Sequence, residues 1–404
     1  MSMRISTATF QNDAVSQMDA LEAALQKTQT ELSTGSQIQS AADNPIGAAQ
    51  VNQMSVEVSA TTQYTTNSNT ANTNLGLEEQ ALSNATSIMQ NAISLATEAN
   101  NSALSPANRA DIATQLQQDL QSLTSIGNST DSAGNYLFGG YANTSPPFTQ
   151  SGGTVSYGGS DQVIQVQISS NQSISGGDTG ATAFMNIPTG NGTFAVSAGA
   201  SNTGAASIGG GTVTNPTTYA AAETAGAGAY TISFTDPSDY QVTDSNGNVV
   251  GSGTYTDGGS IAFNGAQVTL NGTPAAGDSF TVAPAGTTSA FSALSNLITT
   301  LNSTTLNNGQ LTTQINAALQ QIQNSVTNFS NVSASVGARI NAITAAQSTA
   351  TSVTTTLKTN ISTLQSTDYT QATTQLSSEE LALQAAQESY ASLEKLSLFN
   401  YIQG

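Results

Sequence analysis

The side chains that could do chemistry in this sequence are mainly carboxylates, because the chain has neither cysteine nor histidine. Histidine is the commonest general base, and cysteine supplies nucleophilic thiolates and zinc ligands. Two carboxylates can still hydrolyse a glycosidic bond, and the candidate pairs are Glu78-Glu79 and Glu379-Glu380. Adjacent residues of a helix diverge by about 100°, so neither pair converges on one bond. We interpret both pairs as solvated helix surface, and we predict no catalytic residue and no enzymatic activity.

A second acidic group lies where the sequence indicates loops. Asp236, Asp239 and Asp244 are close enough in sequence to resemble calcium ligands, but their spacing does not fit an EF-hand loop. The glycine run Gly209-Gly210-Gly211 does not match a nucleotide-binding motif. We interpret the three aspartates as surface turn residues, and we predict no metal and no cofactor.

The charge of the chain argues against one class of partner. Of its 404 residues only 8% are charged, and the net charge is −19. Residues 145–290 contain eight acidic side chains and no basic one. Phosphate binding requires a basic surface, so we predict no nucleic-acid partner. A polar but mostly uncharged surface suits burial against copies of itself, since each buried charge would need a partner.

Two expectations concern location. The segment Met1 to Phe10 lacks the apolar core of a cleavable signal peptide, and no apolar run is long enough to span a bilayer. We therefore predict no membrane insertion. The chain is either cytosolic or exported by a route that does not read such a signal.

By composition, the elements that must position these residues fall into three segments. Residues 1–140 and 291–404 are rich in Ala, Gln, Leu, Asn and Ser, whereas residues 141–290 are rich in Gly, Thr and Ser and contain most of the prolines. Two similar ends around a different middle indicate a helical domain that is discontinuous in sequence. The middle is then an insert.

Apolar periodicity predicts helices in both ends. An interrupted stripe in the first helix is Val15, Met18, Leu25 and Leu32. A second stripe is Leu82, Ala85, Ile88, Met89, Ala92 and Leu95. Ser105-Pro106 is typical of a helix start, and the residues that this helix should bury are Ile112, Leu116, Leu120, Leu123 and Ile126.

The second end carries a longer stripe with steps of four and three, which is a heptad pattern. Its members are Val336, Ile340, Ile343, Gln347, Ala350, Thr354, Leu357, Ile361 and Leu364. A further helix after Asp368 carries Leu376, Leu383, Ala386, Tyr390 and Leu393. One narrow apolar stripe cannot form a core alone, so each end should pack against the other and then against neighbouring subunits.

The middle segment reads as strands and turns. Alternation predicts strands at residues 162–168, 230–234, 261–263, 267–270 and 279–282, and Asn246-Gly247 predicts a tight turn. Residues 197–229 are rich in Gly, Ala and Thr, which is typical of a flexible loop. The predicted fold class is α+β: long antiparallel helices from both chain ends form a coiled-coil or bundle core, with an inserted antiparallel β domain or a pair of small ones.

Short motifs at both ends resemble the flagellin superfamily. Residues 32–35 (LSTG) followed by residues 42–49 (ADNPIGAA) are similar to its N-terminal signature, in which a helix end and a turn precede a second helix. Residues 336–341 (VGARIN) resemble the C-terminal signature. Asp43-Asn44-Pro45 departs from the commoner Asp-Asp-Pro. The resemblance covers roughly the two helical ends, and residues 277–282 are similar to β modules of hook-associated proteins.

Three segments favour the branch of that superfamily that joins hook to filament. They are the opening at residues 3–7 (MRIST), the segment 134–140 (GNYLFGG) with Pro146-Pro147-Phe148, and the ending at residues 393–402 (LEKLSLFNYI). The resemblance implies an extracellular structural subunit of the bacterial flagellum, exported unfolded without a cleavable signal peptide. Implied partners are copies of itself in a ring, a neighbouring hook-associated protein, flagellin and a cytosolic export chaperone.

The resemblance also implies three domains. Residues 1–45 with 361–404 would form the inner terminal domain, residues 46–140 with 291–360 a helical core domain, and residues 141–290 an outer β domain. The residues that we expect at the assembly interface are Val15, Met18, Leu25, Leu32, Leu357, Ile361, Leu364, Leu376 and Leu383. The chaperone, which would bind a helix in a groove, is expected to contact Leu383, Tyr390, Leu393, Leu396 and Phe399.

Two other functions remain open on the sequence. A filament flagellin would share the fold and the export route, and a secreted adhesin or binding module could be carried by the insert.

The polar interruptions near both ends bear on the stability of the terminal helices, because an isolated helix of this kind is marginal in water. We expect about 40 residues at each end to order only on assembly.

Overall fold

The computed structural model describes the backbone of residues 7–402, and the side chains of residue 9 and of residues 11–392. Helices dominate both ends of the described chain. The α-helices are α1 (Thr7–Thr34), α2 (Pro45–Ala99), α3 (Pro106–Gly127), α4 (Pro216–Thr224), α5 (Ala290–Leu301), α6 (Asn308–Gln365) and α7 (Tyr369–Ile402). Long helices from the two ends around a β-rich insert confirm the predicted α+β class.

Short antiparallel strands and one turn of π-helix (Ala181–Met185) occupy the middle. The strands are β1 (Phe148–Ser151), β2 (Thr154–Tyr157), β3 (Gln165–Ser169), β4 (Gln172–Ser175), β5 (Ile187–Pro188), β6 (Phe194–Ala198), β7 (Ser207–Ile208), β8 (Thr212–Val213), β9 (Tyr230–Asp236), β10 (Asp239–Asp244), β11 (Val249–Thr254), β12 (Ser260–Phe263), β13 (Ala266–Asn271), β14 (Ser279–Pro284) and β15 (Thr287–Thr288).

The helix starts follow local chemistry. The Ser105 side chain accepts a hydrogen bond from the Asn108 backbone N–H at 3.2 Å, with Pro106 in the first turn, which confirms the predicted N-cap. Within α3 the predicted apolar positions Ile112, Leu116, Leu120 and Leu123 are buried, and Ile126 is partly buried. Asn215 caps α4 and Ser289 caps α5 in the same way.

The chain forms two compact units, one of residues 1–66 with 347–404 and the other of residues 67–346. The first unit contains α1, α7, the start of α2 and the end of α6. The second contains the rest of the helices and all the described strands. The division into three domains inferred from the sequence stays a prediction.

The second unit has two hydrophobic cores. In the first, α2, α3, α5 and α6 pack with the hairpins β1–β2 and β3–β4 around a cluster of phenylalanines. The Phe184 ring, in the π-helical turn, lies 5.0 Å from that of Phe138, 5.2 Å from that of Phe329 and 5.6 Å from that of Phe291. Residues 148–187 of the insert therefore belong partly to the helical core.

The other core is all β. A five-stranded antiparallel sheet has the order β11-β10-β9-β14-β6, and β13 pairs with β12, β7 and β8. Asn246-Gly247 forms the predicted turn between β10 and β11, with Gly247 at φ +84°. The prediction of a flexible loop at residues 197–229 is wrong, since β7, β8 and α4 lie there and Tyr219 of α4 is buried in this core. The Tyr219 ring supplies the apolar contact that a segment rich in Gly and Ala otherwise lacks. The composition alone therefore did not indicate an ordered segment.

Candidate assembly site in the terminal helices

Helices α1 and α7 pack against each other within the first unit. The less exposed positions of α1 recur at steps of four and three: Ala14, Met18, Leu21, Leu25, Thr28 and Leu32. Those of α7 do the same: Ala372, Leu376, Glu379, Leu383, Ala386 and Tyr390. The Thr367 side chain, just before α7, donates to the Glu31 backbone carbonyl near the end of α1 at 3.3 Å, so the helices run antiparallel. We call these twelve residues the terminal seam.

Most predicted interface residues lie in or beside this pairing. Met18, Leu25 and Leu32 face it from α1, and Leu376 and Leu383 face it from α7. Three further members, Leu357, Ile361 and Leu364, are half-buried on the last turns of α6. Whether these residues contact a neighbouring subunit stays a prediction.

Val15 lies outside the terminal seam and is 40% exposed. The apolar stripe predicted from the sequence includes Val15, but in the structure Leu21 and Thr28 are the less exposed positions of α1. The signal that could have found this face is the unbroken series of steps of four and three residues from Ala14 to Leu32. The series is visible only if a small Ala and a buried Thr are accepted as seam residues.

The structure describes the side chains of two of the five residues that we expect to contact the chaperone. Leu383 and Tyr390 are half-buried members of the terminal seam. Leu393, Leu396 and Phe399 lie outside the described side chains. The chaperone contacts therefore stay a prediction.

The chain joins α1 to α2 through a turn that is hydrogen-bonded to the segment between α6 and α7. Gly35 ends α1 in the left-handed region at φ +67°, and its N–H donates to the Glu31 carbonyl at 2.8 Å. Beyond it, the Gln37 N–H donates to the Gln365 carbonyl at 2.7 Å, next to a short β-bridge between Ser36 and Ser366. The glycine of the LSTG motif is thus a helix stop that lets the two ends of the chain pair.

The next motif starts α2. The Asn44 side chain accepts the Gly47 N–H at 2.9 Å, which makes Asn44 the N-cap and Pro45 the first helical residue. A side chain at Gly47 would approach the Ile38 side chain to 2.8 Å, so glycine permits close packing there. The predicted order of helix end, turn and proline-led helix is confirmed.

Asp43 joins this turn to α1. Its carboxylate lies 3.0 Å from the Lys27 ammonium and accepts the Ser40 N–H at 2.8 Å. The hydrogen bond to Lys27, assisted by those from Ser40, lowers the pKa of Asp43 to about 2. No local pattern predicts this ion pair, because Lys27 is 16 positions away on another element.

The C-terminal signature supplies a buried polar cluster in the second unit. Arg339 of α6 pairs with the Asp178 carboxylate and donates to the Gly177 carbonyl at 3.2 Å. The Asp178 N–H in turn donates to both carboxyl oxygens of Glu78 on α2, at 3.1 Å and 3.3 Å. Burial, followed by the charge of Asp178, raises the pKa of Glu78 to about 8.

This cluster corrects one sequence interpretation. Glu78 was expected on solvated helix surface, but it is 1% exposed because it occupies a core position of α2. Its neighbour Glu79 is exposed, as the divergence of adjacent helix residues requires. The nearest signal in the sequence was the spacing of Glu78 from Leu75 and Leu82, which places all three on one helix face.

Two of the three aspartates that resembled calcium ligands, Asp236 and Asp244, accept hydrogen bonds within turns. Asp236 accepts the Ser238 N–H at 2.7 Å, and Asp244 accepts the N–H groups of Asn246 at 2.9 Å and Asn248 at 2.8 Å. These bonds confirm the interpretation as turn residues for Asp236 and Asp244, whereas Asp239 is an exposed residue at the start of β10. Among the described residues, no group of three or more acidic side chains is arranged to hold a metal ion. In the same part of the chain, no helix has both the length and the apolar character needed to cross a bilayer.

Two sequence profiles match separate parts of the chain. The bacterial flagellin N-terminal helical region matches residues 5–143. The D2-like domain of flagellar hook-associated protein 1 matches residues 198–284, which contain most of the all-β core. The class is therefore a flagellin-like helical protein with a hook-associated β insert, as the end motifs and residues 277–282 predicted.

Two curated relatives are both named flagellar hook-associated protein 3. The Salmonella typhimurium protein is 34% identical over 185 residues, which are 46% of this chain and 58% of the relative. The Escherichia coli protein is 32% identical over 185 residues, again 46% and 58%. The matched region thus spans little more than half the length of these relatives.

Solved structures extend the likeness over whole chains. FlgL of Xanthomonas campestris is 34% identical with a TM-score of 0.70, over 76% of this chain and 99% of that chain. FlgL of Legionella pneumophila, described as the flagellar junction protein, is 26% identical with a TM-score of 0.69, over 78% and 100%. The chain belongs to the FlgL family, that of flagellar hook-associated protein 3.

Proposed function

We propose that this protein is a structural subunit at the junction between the flagellar hook and the flagellin filament. The observation that carries the proposal is the family membership, with likeness to FlgL structures over nearly their full length. The role is mechanical and requires no catalytic residue. Its partners would be copies of itself in a ring, a hook-associated protein on the hook side and flagellin on the filament side.

The terminal helices suggest how such a ring forms. The terminal seam partly covers one face of α1 and one face of α7, while apolar side chains remain exposed elsewhere on this unit. Val15 is 40% exposed and Leu381 is 69% exposed. Covering such side chains with neighbouring helices is favourable by about 25 cal/mol per Å². Assembly would supply the contacts that the isolated pair lacks.

Export and location follow from the same role. We infer that the chain leaves the cell unfolded through the flagellar secretion apparatus and functions outside the cell. The absence of cysteine supports this route, because refolding after export needs no oxidation. A cytosolic chaperone would hold α7 before export through its Leu383 and Tyr390 face. Loss of chaperone binding in a chain ending at residue 375 would support that step, and unchanged affinity would contradict it.

Deletion of the gene followed by electron microscopy tests the junction role. The expected result is bare hooks with flagellin shed into the medium, restored to full filaments by the intact gene. Normal filaments in the deletion strain would overturn the proposal. Loss of the filament together with absence of any shed flagellin would instead indicate that this chain is the filament protein.

A further inference from the structure

The hairpin β3–β4 is attached to α2 through its first strand, where the Asn67 side chain donates to the Gln167 carbonyl at 3.2 Å, and to both α2 and α6 just after its second strand. Its last residues, Ser175 to Asp178, meet Arg339 of α6, which donates to the Ser175 carbonyl at 3.4 Å and to the Gly177 carbonyl at 3.2 Å. From α2, Glu78 accepts the Asp178 N–H. The hairpin itself contributes Ile168 and Ile174 to the helical core. Loss of the polar attachment would therefore free one edge of that core.

The charges at this point do not balance when both carboxyls are ionised. Glu78 and Asp178 face a single cation, the Arg339 guanidinium. From the loop after α3, Asp131 and Tyr136 line the adjacent cavity, but the Asp131 carboxylate already accepts the N–H groups of Ala133 and Asn135, each at 2.9 Å. One proton shared between Glu78 and Asp178 restores neutrality.

The cavity beside the cluster gives the ionised form a route to water. It has a volume of about 280 Å³ and is lined mainly by α2, the loop after α3, β3 and the end of β4. A water molecule occupies about 30 Å³ of liquid, so several fit. A newly charged Glu78 can thus be hydrated once the Gly176–Asp178 segment moves aside.

We propose that Glu78, Asp178 and Arg339 form a proton-dependent latch, which holds hairpin β3–β4 on α2 and α6 while Glu78 is protonated and releases it when that proton is lost. Neutral Glu78 donates to the Asp178 carboxylate and accepts its N–H, so every polar group has a partner. Ionised Glu78 repels the Asp178 carboxylate beside it, because like charges are poorly screened at a largely buried position.

The direction with pH follows from linkage. The folded pKa of Glu78 is raised from 4.5 to about 8, so the closed latch binds one proton more than the open latch between these values. Stability of the closed form is therefore complete below about pH 4.5 and falls as the pH rises towards 8. The protection of the hairpin against opening should decrease by up to about tenfold per pH unit in that window and level off above it.

Hydrogen exchange on the full-length chain, corrected for the intrinsic pH dependence of exchange, tests the latch. Protection of residues 165–175 is expected to fall from about pH 5 to pH 8, while strand β13 in the other core serves as the internal reference. Glu78→Gln, which keeps the shape and removes the titration, should abolish the dependence. Glu79→Gln, one residue away and exposed, should leave it intact.

Two results would overturn the latch: protection of residues 165–175 that does not change with pH in the wild-type chain, or an unchanged dependence in Glu78→Gln. If Glu78→Gln does not fold, calorimetry of the wild-type chain decides. Unfolding near pH 6.5 should release about one proton more in the wild-type chain and in Glu79→Gln than in Glu78→Ala, measured in two buffers of different ionisation enthalpy. Equal release in Glu78→Ala would refute the proposal. The latch does not depend on the proposed junction role.

Discussion

At the scale of single residues, Asp278 shows how this chain buries charge without a basic partner. Its carboxylate is 2% exposed and accepts the backbone N–H groups of Thr203 at 2.8 Å, Ala275 at 2.8 Å and Gly204 at 3.1 Å. Backbone donors of this kind stabilise an ionised carboxylate. The segment before β7 is thereby fixed to the start of β14, in an insert that contains no Lys or Arg.

Asp278→Asn replaces one accepting oxygen with a donor that faces backbone N–H groups. We expect a loss of about 2 kcal/mol in the free energy of unfolding, measured by urea denaturation with a probe in the β core. Asp111→Asn, on the exposed face of α3, is the matched control and should change little. A midpoint for Asp278→Asn equal to that of the control would refute the assigned role.

Residue types alone did not reveal these buried carboxylates. Asp278 follows Gly277 in what the sequence presents as a surface turn, and Glu78 precedes a second glutamate as on an exposed helix face. Their burial depends on donors from distant positions, Thr203 and Asp178. Local pattern cannot predict such partners, because they meet only in the folded chain.

At the scale of elements, α6 explains why the chain can be so poor in charge. Together with Asn307 just before its start, one of its faces holds backbone groups of the insert through the neutral side chains of Gln310, Thr313, Asn324 and Asn328. Asn324, for example, donates to the carbonyls of Pro188 and Gly190, both at 2.8 Å. Amides satisfy carbonyl groups without the desolvation cost of a buried ion.

The terminal seam makes a prediction about α1. Leu25→Asp places a charge in the seam, and we expect it to lower the stability of the soluble monomer's terminal helices by about 2 kcal/mol and to block junction formation. Val15→Asp, outside the seam, should leave the monomer unchanged and impair assembly alone. Circular dichroism on heating and counts of filament-bearing cells measure the two effects.

Equal thermal stability of the Leu25→Asp and wild-type monomers would contradict the seam. Normal filaments in the Val15→Asp strain would show that Val15 is not part of the assembly interface.

The sequence correctly predicted that these helices exist and which residues α3 buries, since both predictions rest on local caps and strong periodicity. It misplaced the α1 face because an alanine and a threonine, Ala14 and Thr28, fill positions that a search for large apolar residues skips.

At the scale of the whole molecule, the two units differ in how completely they bury their helices. In the second unit, α2 buries a continuous face that includes Leu75, Leu82, Ala85 and Met89. In the first unit, most seam positions are only half-buried. Helical stability comes mainly from such packing. We therefore expect the helices of the first unit to unfold locally more often than those of the second unit.

Hydrogen exchange on the soluble monomer tests this contrast. Residues 11–34 and 369–392 should exchange faster than residues 75–95, and assembly should slow the first two segments selectively. The reference lies in the same molecule, so solution conditions are shared. Protection of residues 11–34 equal to that of residues 75–95 would rule out ordering on assembly.

How much of the insert could be predicted depended on its turns. Hairpins with Asn-Gly turns, such as that at Asn246-Gly247, were readable because the turn fixes the register. The packing of residues 148–187 against the helical core could not be predicted from the sequence. It depends on aromatic contacts such as that between Phe138 and Phe184, 5.0 Å apart and far apart in sequence.

The uneven distribution of basic residues has a practical consequence for labelling. The lysines of this chain are Lys27, Lys358 and Lys395, in α1, the last part of α6 and α7. Amine-reactive dyes and cross-linkers therefore attach only to lysine side chains of the first unit, and the β insert stays unmodified. A fluorophore introduced this way reports on polymerisation at the helices, whereas a tag on the insert has to be built in through another chemistry, such as an introduced cysteine.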